Sequence, residues 1–499
     1  MKQLYLTFSF FMVCIAVIAQ NQYDAIWLLG SPRLLPTDLQ FGGSMLDFSS
    51  GEPEATFFNI GINLDPTALI CNENGELIFY TNGCKVMNAQ HEIMENGDTI
   101  NAGARHHQYC NFSYPSIQGV MGLPKPDAPD QYGLFHSVVD DDIFLITELR
   151  YTEINAAQND GLGEVIFKDQ TILQDTISSL VSAVRHANGR DWWIVGGKHN
   201  SNAFYTIYYG PNGPEYSGNI QLIDSVETST DIRQTTFSPD GSIYAVANRF
   251  HGVRLYHFDR CAGMLSNLAK FDLEADTLSV TGVAISPNNR FLYIGAIDYL
   301  YQFDLEDDNI AESGQIVAQY DGYIVDNSPS LRTTFGHLMH APDGKIYGTA
   351  PNSSNVLHII HNPNEIGLDC NVEQHGFELP TMHGFRPPNL PHFRLWDIPG
   401  SPCDTLGIDM PTSTDEVVDN TPSFQVFPNP AHTNITIKFE QQLSGELRLF
   451  NIAGQLVLST RVDRSNQAQL NVQRFADGLY LASFYDDDGL VSWQKFLIQ

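Results

Sequence analysis

The feature that most constrains this 499-residue chain is a recurring word, a tight turn followed at once by an apolar-aromatic strand. It reads NGELIFY around Gly75, APDQYGLF near Gln131, NGRDWWIV at Gly189, DGSIYAV at Gly241, NNRFLYI at Asn289 and DGKIYGT at Gly344, with successive spacings of 56, 58, 52, 48 and 55 residues. Gly, Asn and Asp are the residues that enter the left-handed region at a turn with least strain. Short apolar strands such as LVSAVRH and RQTTFSP precede the turns, and a further stretch such as GVRLYHFD or YLYQFDL follows. Strand-rich units of about fifty residues, with almost no helical periodicity, are the blades of a β-propeller.

Six such units are visible between residues 62 and 362, and apolar remnants stand at 27–29, 45–48 and 393–396. Pairing the front and back remnants into one composite blade would close the ring and cover both open sheet edges. The expected fold is therefore all-β: a seven-bladed propeller, with six or eight blades as the neighbouring counts, over residues 20–399. The words SPDG and SPNNRFLY resemble the repeats of lactonase-like seven-bladed propellers. LIFYTNGCKVMNAQHEIMENG, AVRHANGRDWWIVGGKHNSNAFYTI, LMHAPDGKIYGTAPNSSNVLHIIHNPNEIGLDC and RPPNLPHFRLW together resemble the secreted propeller-like proteins of Bacteroidetes. That resemblance implies a fold and a location more than an activity.

Fifty-eight acidic against twenty-six basic side chains leave a formal charge of −32. Such a surface repels phosphate backbones and anionic leaflets, which excludes nucleic acid as a partner. Calcium remains possible as a bound cation, although no D-x-D-x-D-G loop marks a defined site. Residues 1–19 read as an export signal, with Lys2 ahead of an apolar run that ends at Ala19. No later run of eighteen apolar residues follows, so no membrane span is expected in the mature chain. Removal of the signal takes Cys14 with it and leaves Cys71, Cys84, Cys110, Cys261, Cys370 and Cys403 in a disulfide-permissive compartment, with their pairing open.

Residues 400–423 are rich in Pro, Ser, Thr and Asp and read as a linker. From Phe424 to Gln499 short alternating strands return, seven of them by pattern, as in a small immunoglobulin-like β-sandwich. This segment resembles the type A C-terminal sorting domain of cargo for the Bacteroidetes type IX secretion system. The resemblance is carried by Pro428, Asn429 and Pro430, by Gly454 and Gln455 in NIAGQLV, by Gly478 and Tyr480 in GLYLASF, and by Lys495 and Phe496 in the last strand. It implies the type IX machinery as a partner and a secreted or outer-surface location.

Motifs of catalysis are missing from the sequence: no G-x-S-x-G elbow, H-E-x-x-H pair or Walker loop occurs. Candidate ligand-binding residues, placed by analogy at the channel mouth of a propeller, are His107, Asn111, Arg233, Gln234, Arg332, His383 and Arg386. The three arginines suit an anion such as a carboxylate or an acidic sugar, or else pair with acidic groups of neighbouring blades. Trp192, Trp193, Tyr244, Tyr293 and Tyr347 hold equivalent second-strand positions and are expected to pack blade on blade. The pattern favours a binding module for glycan or protein that needs no cofactor, with a secreted lactonase-like or other hydrolase as the alternative and no residue assigned to catalysis or to a metal.

Overall fold

The computed structural model describes residues 22–33, 35, 37–177, 181–223, 232–249, 251–273, 279–408, 424–451, 456–476, 478–486 and 489–498. The expected export signal and most of the expected linker lie outside them. The chain divides into two compact units, Met1–Pro411 and Thr412–Gln499.

Among the described residues the first unit holds seven antiparallel sheets in chain order. Their first strands are Ile26–Ser31, Ala68–Cys71, Val120–Pro124, Ser182–Arg185, Ile232–Phe237, Gly282–Ile285 and Leu338–His340. Each sheet continues as a meander, and the later strands grow exposed: Ala68–Cys71 is buried throughout, whereas Met264–Phe271, fourth in the fifth sheet, alternates with solvent. The turn words explain the meander. Gly75, Gly189, Gly241, Asn289 and Gly344 take φ of 85°, 77°, 74°, 62° and 80°, and Asp130 serves the third sheet at 62°. The Gly241 amide donates to Ser238 O at 2.8 Å and that of Gly344 to Ala341 O at 3.0 Å, closing the turns. Side chains just before the left-handed residue complete them, Asn188 accepting from the Arg190 amide and Asp343 from that of Lys345, both at 3.1 Å.

The sheets pack face on face around a ring. Leu28 and Phe58 of the first meet Leu69 and Tyr80 of the second, and Phe79, Phe135 and Tyr209 share the core between the second, third and fourth. Val195 and Phe204 meet Phe237 and Tyr244 of the fifth, and Leu255 meets Val283 and Leu292 of the sixth. Tyr293 meets Leu338 and Ile360 of the seventh. The ring closes where Tyr347 and Ile359 of the seventh sheet pack on Trp27 and Leu46 of the first. Ser44 and Thr381 bond across that seam at 2.8 Å, and the Met382 amide donates to Gln40 O at 2.8 Å. This is a β-propeller, with inter-sheet aromatic packing at Trp192, Tyr244, Tyr293 and Tyr347.

One expectation is corrected. Residues 393–396 form no strand and share no composite sheet with the front of the chain; the first sheet is built from Ile26–Ser31, Gly42–Asp47 and Glu54–Phe58 alone. Disulfides join Cys84 to Cys110 and Cys261 to Cys403, while Cys71 and Cys370 are buried thiols that burial pushes up to about 12 and about 11.

Among the described residues the second unit has five strands where seven short ones were expected, because two pairs run on as single long strands, Asn434–Asn451 and Leu456–Asn471. Both halves of Asn434–Asn451 feed one core, Ile435 and Ile437 from the first half and Leu447 and Leu449 from the second. Register shifts between Lys438 and Gly445 let the strand bend between them.

Candidate functional site: a propeller channel filled by its own chain

The segment Arg386–Trp396 runs among the inner strands. A backbone that leaves the ladder inside a protein must still satisfy its polar groups. Pro387, Pro388 and Pro391 lower that demand by carrying no N–H. Asn389 meets much of what remains. Its amide donates to Thr67 O at 2.8 Å, its Nδ2 donates to Val120 O at 2.8 Å and Val181 O at 2.9 Å, and its Oδ1 accepts from Gln118 Nε2 at 3.0 Å. One buried asparagine thereby ties the second sheet through its backbone and the third and fourth through its carboxamide.

Two glutamines carry the same device around the axis. Gln118 Oε1 accepts from the Thr235 amide at 3.1 Å while its Nε2 donates to Thr235 O at 2.9 Å. Gln234 Oε1 accepts from the amides of Val283 at 3.0 Å and Leu338 at 3.1 Å, and its Nε2 donates to Leu338 O at 2.5 Å. Farther along, Phe393 is fully buried against Tyr23 and Trp192, with ring centroids 5.5 and 5.7 Å away, and Arg394 forks onto Asp24 at 2.6 and 2.7 Å. The Cys261–Cys403 disulfide anchors the chain beyond the strap to the turn that follows Gly252–Asp259.

The space left at the axis is about 60 Å³, walled by Gln118, Gln234, His340, Arg386, Asn389 and His392 among others. That volume holds a few waters, far below the few hundred Å³ of a small-molecule site. His340 and His392 face each other there with ring centroids 5.3 Å apart. Burial pushes His340 down to about 3 and lowers His392 as well, so both rings are neutral. His392 bonds Phe237 O at 3.1 Å, whereas His340 Nε2 has no hydrogen-bond partner among the described residues.

Of the residues expected at a channel mouth, the structure brings Gln234 and Arg386 to this cavity wall. His107 and Asn111 are exposed on and just after the short helix Ala104–Tyr109. Arg332 pairs with Asp298 at 2.6 Å and lies over the Tyr320 ring, and Arg386 pairs with Asp65 at 2.6 Å. His383 is buried at the end of the seventh sheet's last strand, 3.5 Å from Val356 O. The side chain of Arg233 lies outside the described residues. Among these, one trio of potential metal ligands gathers, Cys84, His106 and Cys110, and its two sulfurs are joined as a disulfide. Sequence reasoning missed Gln118 and Asn389; the three prolines of RPPNLPHFRLW were the signal that this stretch is no strand.

In the second unit the sorting-motif residues sit around one edge. Pro428, Asn429 and Pro430 are exposed, and Asn429 Oδ1 accepts from the Leu497 amide at 2.8 Å. Tyr480 donates to Ala476 O at 2.8 Å and packs 5.9 Å from Phe496, its register partner, while Lys495 is exposed and Gly478 opens the strand. Gly454 and Gln455 lie outside the described residues. Residues 425–499 match the family model described as a secretion system C-terminal sorting domain. This segment is a type IX sorting domain. It marks the protein for secretion to the cell surface or the extracellular space and implies contact with the secretion machinery. No described helix is long and apolar enough to cross a membrane.

No curated protein matches the chain. Solved structures similar to it include a putative 6-phosphogluconolactonase from Bacteroides uniformis, at 14% identity and TM-score 0.37 over 68% of this chain and 92% of that one. The periplasmic gluconolactonase of Pseudomonas aeruginosa is 12% identical, TM-score 0.41, over 73% and 99%. A Swd1 β-propeller domain from Myceliophteria thermophila is 11% identical, TM-score 0.37, over 62% and 87%.

Proposed function

We propose that the chain is a secreted or surface-held binding module for glycan or protein, delivered by a cleavable export signal and the sorting domain, with a propeller as its recognition body. The observation that carries this reading is the strap Arg386–Trp396. It occupies the axis where propeller enzymes would need an open cavity, and it leaves only about 60 Å³ there. Three of the polar groups facing that axis, Asn389, Gln118 and Gln234, are spent on holding sheets together. Recognition then falls to the loops and turns at the rims, where the sheets differ from one another.

The purified mature chain, applied to a glycan array and to a panel of lactones and esters, tests this. Saturable retention of a defined glycan or protein without turnover is expected. Enzymatic turnover of any panel member at a rate above that of solvent would overturn it.

A further inference from the structure

A second cleft in the first unit, more open than the axial cavity, lies at the turns between the first two strands of the second, third and fourth sheets. It measures about 390 Å³ and is walled by Tyr23, Glu73, Lys125, Arg185, Arg190 and Trp396 among others. Its three cations are not alike. Lys125 is held by Glu153 at 2.8 Å, and Arg190 bridges Asp127 and Asp191, the latter at 2.7 Å. Arg185 makes no ion pair among the described residues, although it keeps only 7% of its surface exposed.

Arg185 has weak compensation for its burial. Nη1 donates to Arg190 O at 2.9 Å and Nη2 to Phe393 O at 3.5 Å, the guanidinium lies 4.0 Å over the Trp192 ring, and Nε has no partner. A guanidinium has five N–H donors, so each terminal nitrogen retains one unused donor in addition to Nε. Burial pulls its ionisation down to about 10, which still leaves it charged at neutral pH. A buried cation with no carboxylate in direct contact is poorly compensated, and Asp191 and Glu73 act on Arg185 only at longer range. Such a group at the wall of an open cleft asks for a two-oxygen anion to match the fork.

The rest of the wall narrows the class. Tyr23, Tyr132 and Trp396 place aromatic rings in the wall, and Asn72, Glu73 and Asn74 add polar groups, Glu73 accepting from the Tyr23 hydroxyl at 3.0 Å. The formal charges of the wall cancel, three basic against Glu73, Asp127 and Asp130, on a chain whose total is −32. The cleft is thus a local relief from the field that repels anions elsewhere. We infer that this cleft binds a carboxylated sugar, a uronic acid at the end or along a glycan, with its carboxylate on Arg185. This rests on reading the propeller as a binding module and assigns the site and ligand class.

Isothermal titration of the mature chain with galacturonate, galactose and inorganic sulfate provides the test. Galacturonate should bind saturably, and galactose and sulfate at least ten-fold more weakly. Arg185→Gln should remove the difference between galacturonate and galactose. Since that variant disturbs a buried position, Ala128→Trp, a half-buried wall residue in the turn of the third sheet, should block the cleft in a folded chain and weaken galacturonate at least ten-fold. Unchanged galacturonate affinity in Ala128→Trp, or equal binding of all three probes, overturns the cleft assignment. A glycan-array signal that survives Ala128→Trp leaves the binding-module reading standing while rejecting this site; turnover in the lactone and ester panel rejects the reading itself.

Discussion

Asn389 sits where the second, third and fourth sheets converge, and its side chain is almost wholly buried. Replacing it with Ala leaves the carbonyls of Val120 and Val181 and the amide of Gln118 short of partners. Buried unpaired polar groups cost about 1–3 kcal/mol each, so Asn389→Ala should lower unfolding stability by about 2–4 kcal/mol in urea titration. A loss under 0.5 kcal/mol would mean that water or a rearranged strap takes over those bonds. His340 gives a second prediction at this scale. A free histidine titrates near 6.5, whereas burial holds this ring at about 3 in the folded chain. As pH falls through that interval the unfolded state takes up the proton and the folded state does not, so stability is full above the unfolded value and declines from about 6.5 toward about 3. Unfolding midpoints measured from pH 7 to pH 4 should fall less steeply in His340→Gln than in the parent; parallel slopes would contradict it. Neither role was legible in the sequence, because a lone Asn or His carries no period and its partners lie far along the chain, His392 at 52 residues from His340 and Val181 and Thr67 at 208 and 322 from Asn389.

At the scale of elements, the turns were legible and the strap was not. A fifty-residue recurrence is visible because the second to seventh sheets solve the same turn with a left-handed residue, and Asn289 shows that Asn can replace Gly there. Gly344 has φ of 80° and nothing within 4 Å of a built Cβ, so backbone conformation alone decides its substitutions. Gly344→Asn should therefore be near neutral and Gly344→Val should cost about 1–2 kcal/mol in thermal or urea unfolding. Equal costs would show that something other than φ governs the position. The strap failed to announce itself because PHFRLW has the apolar alternation of a short strand. Alternation reports burial on one side, and a chain threaded between sheets is buried too; only the missing donors of Pro387, Pro388 and Pro391 separate the cases. In the sorting domain the same ambiguity acted in reverse, since a bend in one long strand reads locally as two strands.

For the whole molecule, fold and destination were written in different places, the repeat over most of the chain and the motif residues in the last seventy-five. The binding surface was not, since the cleft at Arg185 is assembled from turns of three sheets with no shared local pattern. Deleting residues 424–499 should retain the propeller inside the outer membrane, measured by fractionation and immunoblotting of medium, surface and periplasm. Arrival of the truncated chain in the medium would contradict the address function. The chain fills its own channel, and peptide-level hydrogen exchange on the mature protein reads this out. Amides of residues 386–398, among them Asn389 bonded to Thr67 O and Ile398 bonded to Ala187 O, should be protected to the same degree as the inner strands Ser182–Arg185 and Gly282–Ile285. Complete exchange of that segment within seconds, with the inner strands still protected, would place the strap outside the channel and leave the axis open for a ligand.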